Sequence, residues 1–296
     1  MKEHSIDEHS LDEKFIQMTQ TPVRPLICRL AVPTIISNLI TTFYNMADAF
    51  FIGKINTSAS GAVGIAFSVM AVIQAIGFFF GQGSGNNISR MLGQHREEDA
   101  LKLASTGFFS AILAGIVFAA AGLLLLEPFC LLLGSTRTIL PYAEDYMRLI
   151  LIGAPYMAAS LVLNNQLRFE GSAFYGMIGL TTGAVLNMVL DPLFIFTFDM
   201  GISGAALATV VSQLVSFCLL FWEISRKGTV PIQLKNFSPS RKYYRIIFTG
   251  GFPSLCRQSV SGVAAACMNL AAGQFGDAAI AAMAIVTKIM NFTNAV

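Results

Sequence analysis

Charge is what this sequence has least of. Seventeen acidic and 19 basic residues among 296 make it only 12% charged, against ~25% in an ordinary soluble domain. A soluble fold of that composition would lack the polar side chains needed to cover its surface. With 54% hydrophobic residues and a mean hydropathy of +0.64, the membrane class is the reading that fits. The surplus of two positive charges is too small and too scattered to suggest a nucleic-acid partner, and none is expected. Cysteines stand singly at Cys28, Cys130, Cys218, Cys256 and Cys267, with no CxxC or Cys/His spacing. That excludes a disulfide framework or zinc centre as the organising device, and they read as small packing residues.

A nucleotide-binding loop is also missing. GQGSGNNISRMLGQHREEDALK, 81–102, is glycine-rich but follows no strand, so neither the dinucleotide fingerprint nor the P-loop has its setting. It reads as a Gly-rich helix end followed by a charged cytoplasmic helix. The Asn-x-Ser/Thr matches at Asn56 and Asn291 read as chance. The opening MKEHSIDEHSLDEKFIQMTQTPVRP has no apolar core and no small-residue cleavage site. It is expected to be a cytoplasmic tail rather than a secretory signal.

Apolar stretches of spanning length are abundant, each bounded by polar or Gly/Pro residues. A span needs ~20 apolar residues, and by that measure spans fall at 27–50, 62–88, 103–126, 142–163, 173–197, 201–223, 243–270 and 278–296. The tail and the even-numbered connections carry most Lys and Arg, among them Arg90, Arg96, Lys102, Arg168, Arg226, Lys227, Arg241 and Lys242. The opposite side has Lys54, Arg137 and Arg148. That asymmetry predicts a cytoplasmic N-terminus.

The sequence also repeats. At an offset of 220 residues Pro33 falls on Pro253, Gly53 on Gly273, Ala59 on Ala279, Ala62 on Ala282 and Ile65 on Ile285. Six spans separate the copies, so they would be parallel, related by an axis along the membrane normal. The expected fold is therefore an all-α integral membrane protein: a six-helix N-terminal bundle plus the first one to two helices of a second, parallel-repeat bundle. The expected parts are a tail at 1–24, the six-helix lobe at 25–225, a cytoplasmic linker at 226–242 and the truncated start of a second lobe at 243–296. A complete protein of about twelve helices is expected from the repeat.

Charges inside spans are costly and usually functional. Asp48 lies in the first span, with Tyr44 one turn before it on the same face and Asn45 at i−3. Asp191 lies in the fifth, with Asn187 at the same i−4 spacing. The sixth span adds Thr209 and Gln213, and the fourth Asn164 and Asn165. Together these would give one polar pocket of two carboxylates and several neutral oxygens, the donor set of a hard cation. A close carboxylate pair can also share a proton. Arg257 reads as a residue near a span end that snorkels, and Lys288 as a cation facing a central cavity. Pro33 removes a backbone hydrogen bond within the first span and is the place where it would bend.

With these residues assembled, the chain resembles the multidrug and toxic compound extrusion (MATE) family, in its MepA/DinF-like branch. The stretches carrying the likeness are LAVPTIISNLITTFYNMADAFFIGK, GQGSGNNISRMLG, GAVLNMVLDPLFIFTFDMGISGAALAT and the 220-residue repeat. The resemblance implies a secondary multidrug exporter of the bacterial plasma membrane, multi-pass and monomeric, rather than an enzyme. Organic, often cationic compounds would leave against H⁺ or Na⁺, with no other cofactor. The resemblance also implies site roles. Asp48, Asp191, Asn187, Thr209 and Tyr44 would form the cation site, with Na⁺ placed at Asp48, Asn187, Asp191 and Thr209. Asn164 and Tyr146 would support it, and Pro33 would be the bend. A flippase for lipid-linked intermediates or a polysaccharide exporter of the same superfamily is the alternative; those tend to use cationic cavities. An intramembrane aspartyl protease on Asp48 and Asp191 is disfavoured because NMAD and MVLD lack a GxGD-type motif, and a non-transporting receptor is the remaining class.

Overall fold

A computed structural model describes residues 21–228, 230–276, 278, 279, 282, 283, 285, 286 and 290. The chain is helical, with no strand among the described residues. Among the described residues eight named α-helices follow in order: α1 (Val23–Gly53), α2 (Thr57–Leu92), α3 (Glu97–Leu124), the short α4 (Leu126–Leu132), α5 (Leu140–Phe169), α6 (Ala173–Pro192), α7 (Gly201–Lys227) and α8 (Arg241–Gly273). A π-helical turn, Leu193–Thr197, continues α6. Among the described residues six segments are long and apolar enough to cross a membrane: α1, α2, α3, α5, α6 with its π turn, and α7. Each corresponds to a span expected from hydropathy. The helices overrun the apolar windows because their first and last turns carry polar side chains and lie where water or caps can meet the backbone groups that the helix leaves unpaired. The short α4 was not anticipated; at seven residues it is too brief for a periodic signal. The expected span at 278–296 lies largely outside the described residues.

α5 is the centre of the bundle. It packs against α2, α3, α6 and α7, while α1 leans chiefly on α6 and α8 runs along α2. Close approach depends on small residues. A Cβ at Gly77 would lie 2.7 Å from Leu161, and one at Gly81 would lie 3.1 Å from Asn165. Gly85 abuts Phe169, and Gly83 abuts the backbone of α8 at Ile247 and Gly251. These glycines of the 81–102 stretch thus lie inside α2 rather than at a frayed helix end, and the charged segment after them is the first turn of α3. The Asn56 match has a local role: its Oδ1 accepts from the Ala59 N–H at 2.6 Å and caps α2.

The stretch after α7, which includes a 3-10 turn at Leu234–Asn236, lies against α3. Gln233 N–H donates to Ser105 Oγ at 3.3 Å, and Ser238 N–H to Thr106 Oγ1 at 3.2 Å. At the start of α8, Lys242 Nζ and the Tyr243 hydroxyl both reach Asp99 Oδ1, at 2.8 and 2.7 Å. α1 and α8, the helices bearing Pro33 and Pro253, end at Gly53 and Gly273. These are the residues that the 220-residue offset superposes.

Candidate functional site

The site is built where α1, α5, α6 and α7 meet. Asp191 is fully buried and Asp48 is 6% exposed, so both carboxylates are inside the protein rather than facing lipid. Asn187 Nδ2 donates to Asp191 Oδ1 and to Thr209 Oγ1, each at 3.3 Å. One carboxamide therefore ties α6 to α7. Its own Oδ1 is buried and accepts no hydrogen bond from the described residues. The Tyr146 side chain, buried at the centre of the core, meets Thr209, and Asp48, Asp191 and Tyr44 all bear electrostatically on its hydroxyl. Tyr44 meets Gln213 and feels both carboxylates. Asp48, Asp191, Asn187, Thr209, Tyr44 and Tyr146 are thus brought to one place by four helices.

Local backbone features help to place them. α6 stays helical through Asp191, so Asn187 and Asp191 remain one turn apart on one face. Pro192 then lacks an N–H, and the helix widens into the π turn, closed by Phe198 N–H to Leu193 O at 3.0 Å. Such π segments are frequent at functional positions. α1 passes through Pro33 without interruption, although the missing N–H leaves the Arg29 carbonyl without its helical donor. Ser37 Oγ donates to Pro33 O at 2.9 Å.

The donor set fits a hard cation or a proton. Two carboxylates, the Thr209 hydroxyl and the open Asn187 Oδ1 are oxygens, which is the chemistry of alkali and alkaline-earth ligation.

Other expected residues lie elsewhere. Asn45 and Asn165 turn back on their own helices, donating to Thr41 O at 2.9 Å and Leu161 O at 2.7 Å. Asn164 lines a neighbouring cavity of about 240 Å³ that Tyr44 and Gln213 also line. Arg257 is in the middle of α8 rather than at a span end, and its guanidinium lies 6.0 Å from the Phe78 ring centroid. Lys288 lies outside the described residues. The sequence reading missed two residues. Arg168, counted only as a basic connection residue, lines the cavity. Gln166 is fully buried and donates to Ser84 Oγ at 3.2 Å and Ala104 O at 3.1 Å, joining α5 to α2 and α3. Its adjacency to Asn164 and Asn165 was the available signal.

Comparisons with known proteins bear on the fold and the family. A family model described as MatE matches residues 33–193. The multidrug export protein MepA of Staphylococcus saprophyticus is 26% identical over 283 residues, 95% of this chain and 63% of its own length. The chain thus spans less than two thirds of the curated relatives it matches. A solved structure described as the outward-facing conformation of a multidrug resistance MATE family transporter of the MOP superfamily superposes with a TM-score of 0.80. It is 28% identical, over 95% of this chain and 66% of that one. A Pyrococcus furiosus MOP superfamily transporter, whose description speaks of a binding pocket of reverse polarity and a different function, gives 0.75 at 28% identity, over 91% and 64%.

Proposed function

The chain belongs to the MatE family and is a multi-pass protein of the plasma membrane, and from that premise we propose that it acts in a secondary multidrug exporter. Organic compounds leave the cell against H⁺ or Na⁺, and the cation acts at Asp48 and Asp191 with Asn187, Thr209 and Tyr44. No covalent chemistry is involved. The observation that carries this reading is the convergence of two buried carboxylates with Asn187, Thr209, Tyr44 and Tyr146 from four helices. Buried carboxylates repel one another while ionised, and a bound cation removes that repulsion. α1, lightly held and interrupted in its hydrogen bonding at Pro33, is then free to bend.

Coupling requires ion and cargo to favour different states; tight binding to both alike would shift nothing. The lipid-intermediate alternative calls for a cavity with several cations to hold a pyrophosphate. Among the described residues lining the cavity, Arg168 alone is charged, which favours the drug-exporter reading.

The test uses the full-length protein in inverted vesicles from an efflux-deficient bacterium. Dye transport is followed under an imposed pH gradient, then a Na⁺ gradient, with Asp48→Asn beside the wild type. Transport driven by either ion in the wild type and lost in the variant is expected. Equal transport by both proteins would overturn the assignment of Asp48.

A further inference from the structure

The aspartate cluster has two unlike sides. Toward the cavity it is polar, because Tyr44, Asn164 and Gln213 are part of the cavity wall. On the opposite side an apolar layer caps it, one helical turn away along each helix. Ile52 follows Asp48 by four residues, ~6 Å of helix rise. Ile195 follows Asp191 by four, Ala205 precedes Thr209 by four, and Ala143 precedes Tyr146 by three. All four apolar residues are buried and belong to one cluster. With the N-terminus cytoplasmic, as the Lys/Arg asymmetry predicts, α1 and α6 end and α5 and α7 begin at the outer face, so the layer faces outward.

This layer is held unevenly. Its π-turn side is fastened to α7: Met200 N–H donates to Phe194 O at 3.1 Å, and a Cβ at Gly204 would lie 2.8 Å from the Phe194 backbone. Its α1 side rests on Phe51, three residues beyond Asp48 on the most lightly packed spanning helix. The Phe51 ring meets that of Phe196 in the π turn edge to face, with centroids 6.3 Å apart and planes at 71°. Phe196 is 47% exposed, so the ring pair forms the rim of the layer.

A packed apolar constriction shuts out water and ions without any charged barrier. A cation arriving from outside therefore needs the layer parted, and α1 is the side with less packing to lose. We propose that the Phe51–Phe196 contact is the outer gate of the cation site, with Phe196 fixed on α7 and Phe51 moving with α1. The inference rests on the exporter reading and adds to it the residues that control cation access. Neither ring touches the cation. The contact is made with the site empty or filled and is lost only during passage, so it sets rates and leaves affinity alone.

The test uses full-length protein, freed of its cysteines, in liposomes of uniform orientation. A bimane on Ile36→Cys reports α1, and acid jumps or Na⁺ jumps are applied at the outer face. Phe51→Ala and Phe196→Ala should each speed cation binding and release roughly three- to tenfold, with the midpoint unchanged, since one aromatic contact is removed. The double variant should be little faster than either single one. Unchanged rates would overturn the gate, and so would a midpoint that moves with them, the mark of a merely structural role. Phe51→Cys with Phe196→Cys, bridged by a bifunctional methanethiosulfonate, should silence the response to outer cation while dye still binds, and reductant should restore it. An undiminished response in the bridged protein would route the cation through the cavity and overturn the proposal. If the gate fails while Asp48→Asn still abolishes gradient-driven dye transport, this inference falls and the exporter reading stands. Gated cation binding without gradient-driven transport does the reverse.

Discussion

α1 and α5 form opposite walls of one site, and the bundle holds them very differently. In the most apolar stretch of α5, 67% of residues are buried; in that of α1, 17% are. α5 touches four spanning helices, whereas α1 leans mainly on α6. Tyr146, Asn164 and Gln166 are therefore positioned by a closely packed framework. Asp48 and Tyr44 are carried by the spanning helix with least contact to lose. Segments that move in function are drawn from the weakly held parts of a structure. On the proposed mechanism α5 is the fixed wall and α1 the responsive one.

The comparison can be broken most severely at the carboxylates. Asp48→Asn and Asp191→Asn should each lower gradient-driven transport more than ~100-fold, while the protein still inserts and unfolds normally. Flux assays beside unfolding in detergent check this, and retained coupling in either variant would remove that residue from the cation site. A smaller effect is expected from crowding the fixed wall. A Cβ at Gly115 would lie 2.7 Å from Pro155 Cα on α5, so Gly115→Val should destabilise the fold by about 1–3 kcal/mol. Ile36→Ala on α1, where the side chain is 40% exposed, should change stability by no more than ~0.5 kcal/mol. Equal effects at the two sites, read by thermal unfolding, would erase the distinction.

Gln166→Leu removes two hydrogen bonds between α5 and its neighbours. About 1 kcal/mol of stability should be lost, within the range for such contacts in membranes, with ion coupling intact. The smallest expected effect is at the bend. Pro33→Ala restores the missing backbone bond and should slow turnover several-fold without altering the ion-to-cargo ratio. Unchanged turnover would place the bend elsewhere.

The pattern of success in reading the sequence has a physical basis. A span announces itself by length and apolarity alone, so the six helices of spanning length among the described residues were legible. Asp48 and Asp191 stood out because a carboxylate in an apolar run is costly wherever it faces. The carboxamides were harder. Asn164, Asn165 and Gln166 are consecutive on a helix, so they point ~100° apart. One faces the cavity, one caps a carbonyl of its own helix and one knots three helices together. Which does which depends on neighbours distant in sequence. Arg168 was read as a loop charge for the same reason: only the approach of α1, α2, α6 and α7 makes a cavity beside it. Glycines 81, 83 and 85 looked like a helix end because propensity disfavours them inside a helix, but close packing against α5 and α8 outweighs that preference.

The most direct test of a fixed and a responsive wall is a pair of distances measured by spin labels in full-length protein. The background replaces the buried Cys130 and the exposed Cys28, Cys218, Cys256 and Cys267. Labels at Phe50 on α1 and Ile152 on α5, both exposed, report across the site; labels at Val117 on α3 and Ile152, also exposed, report within the framework. On saturating the cation site, by acid or by Na⁺, the first distance should shift in the wild type and stay constant in the Asp48→Asn/Asp191→Asn double variant. The second should not change in either protein. A first distance that never moves, or a second that moves with it, would contradict the account.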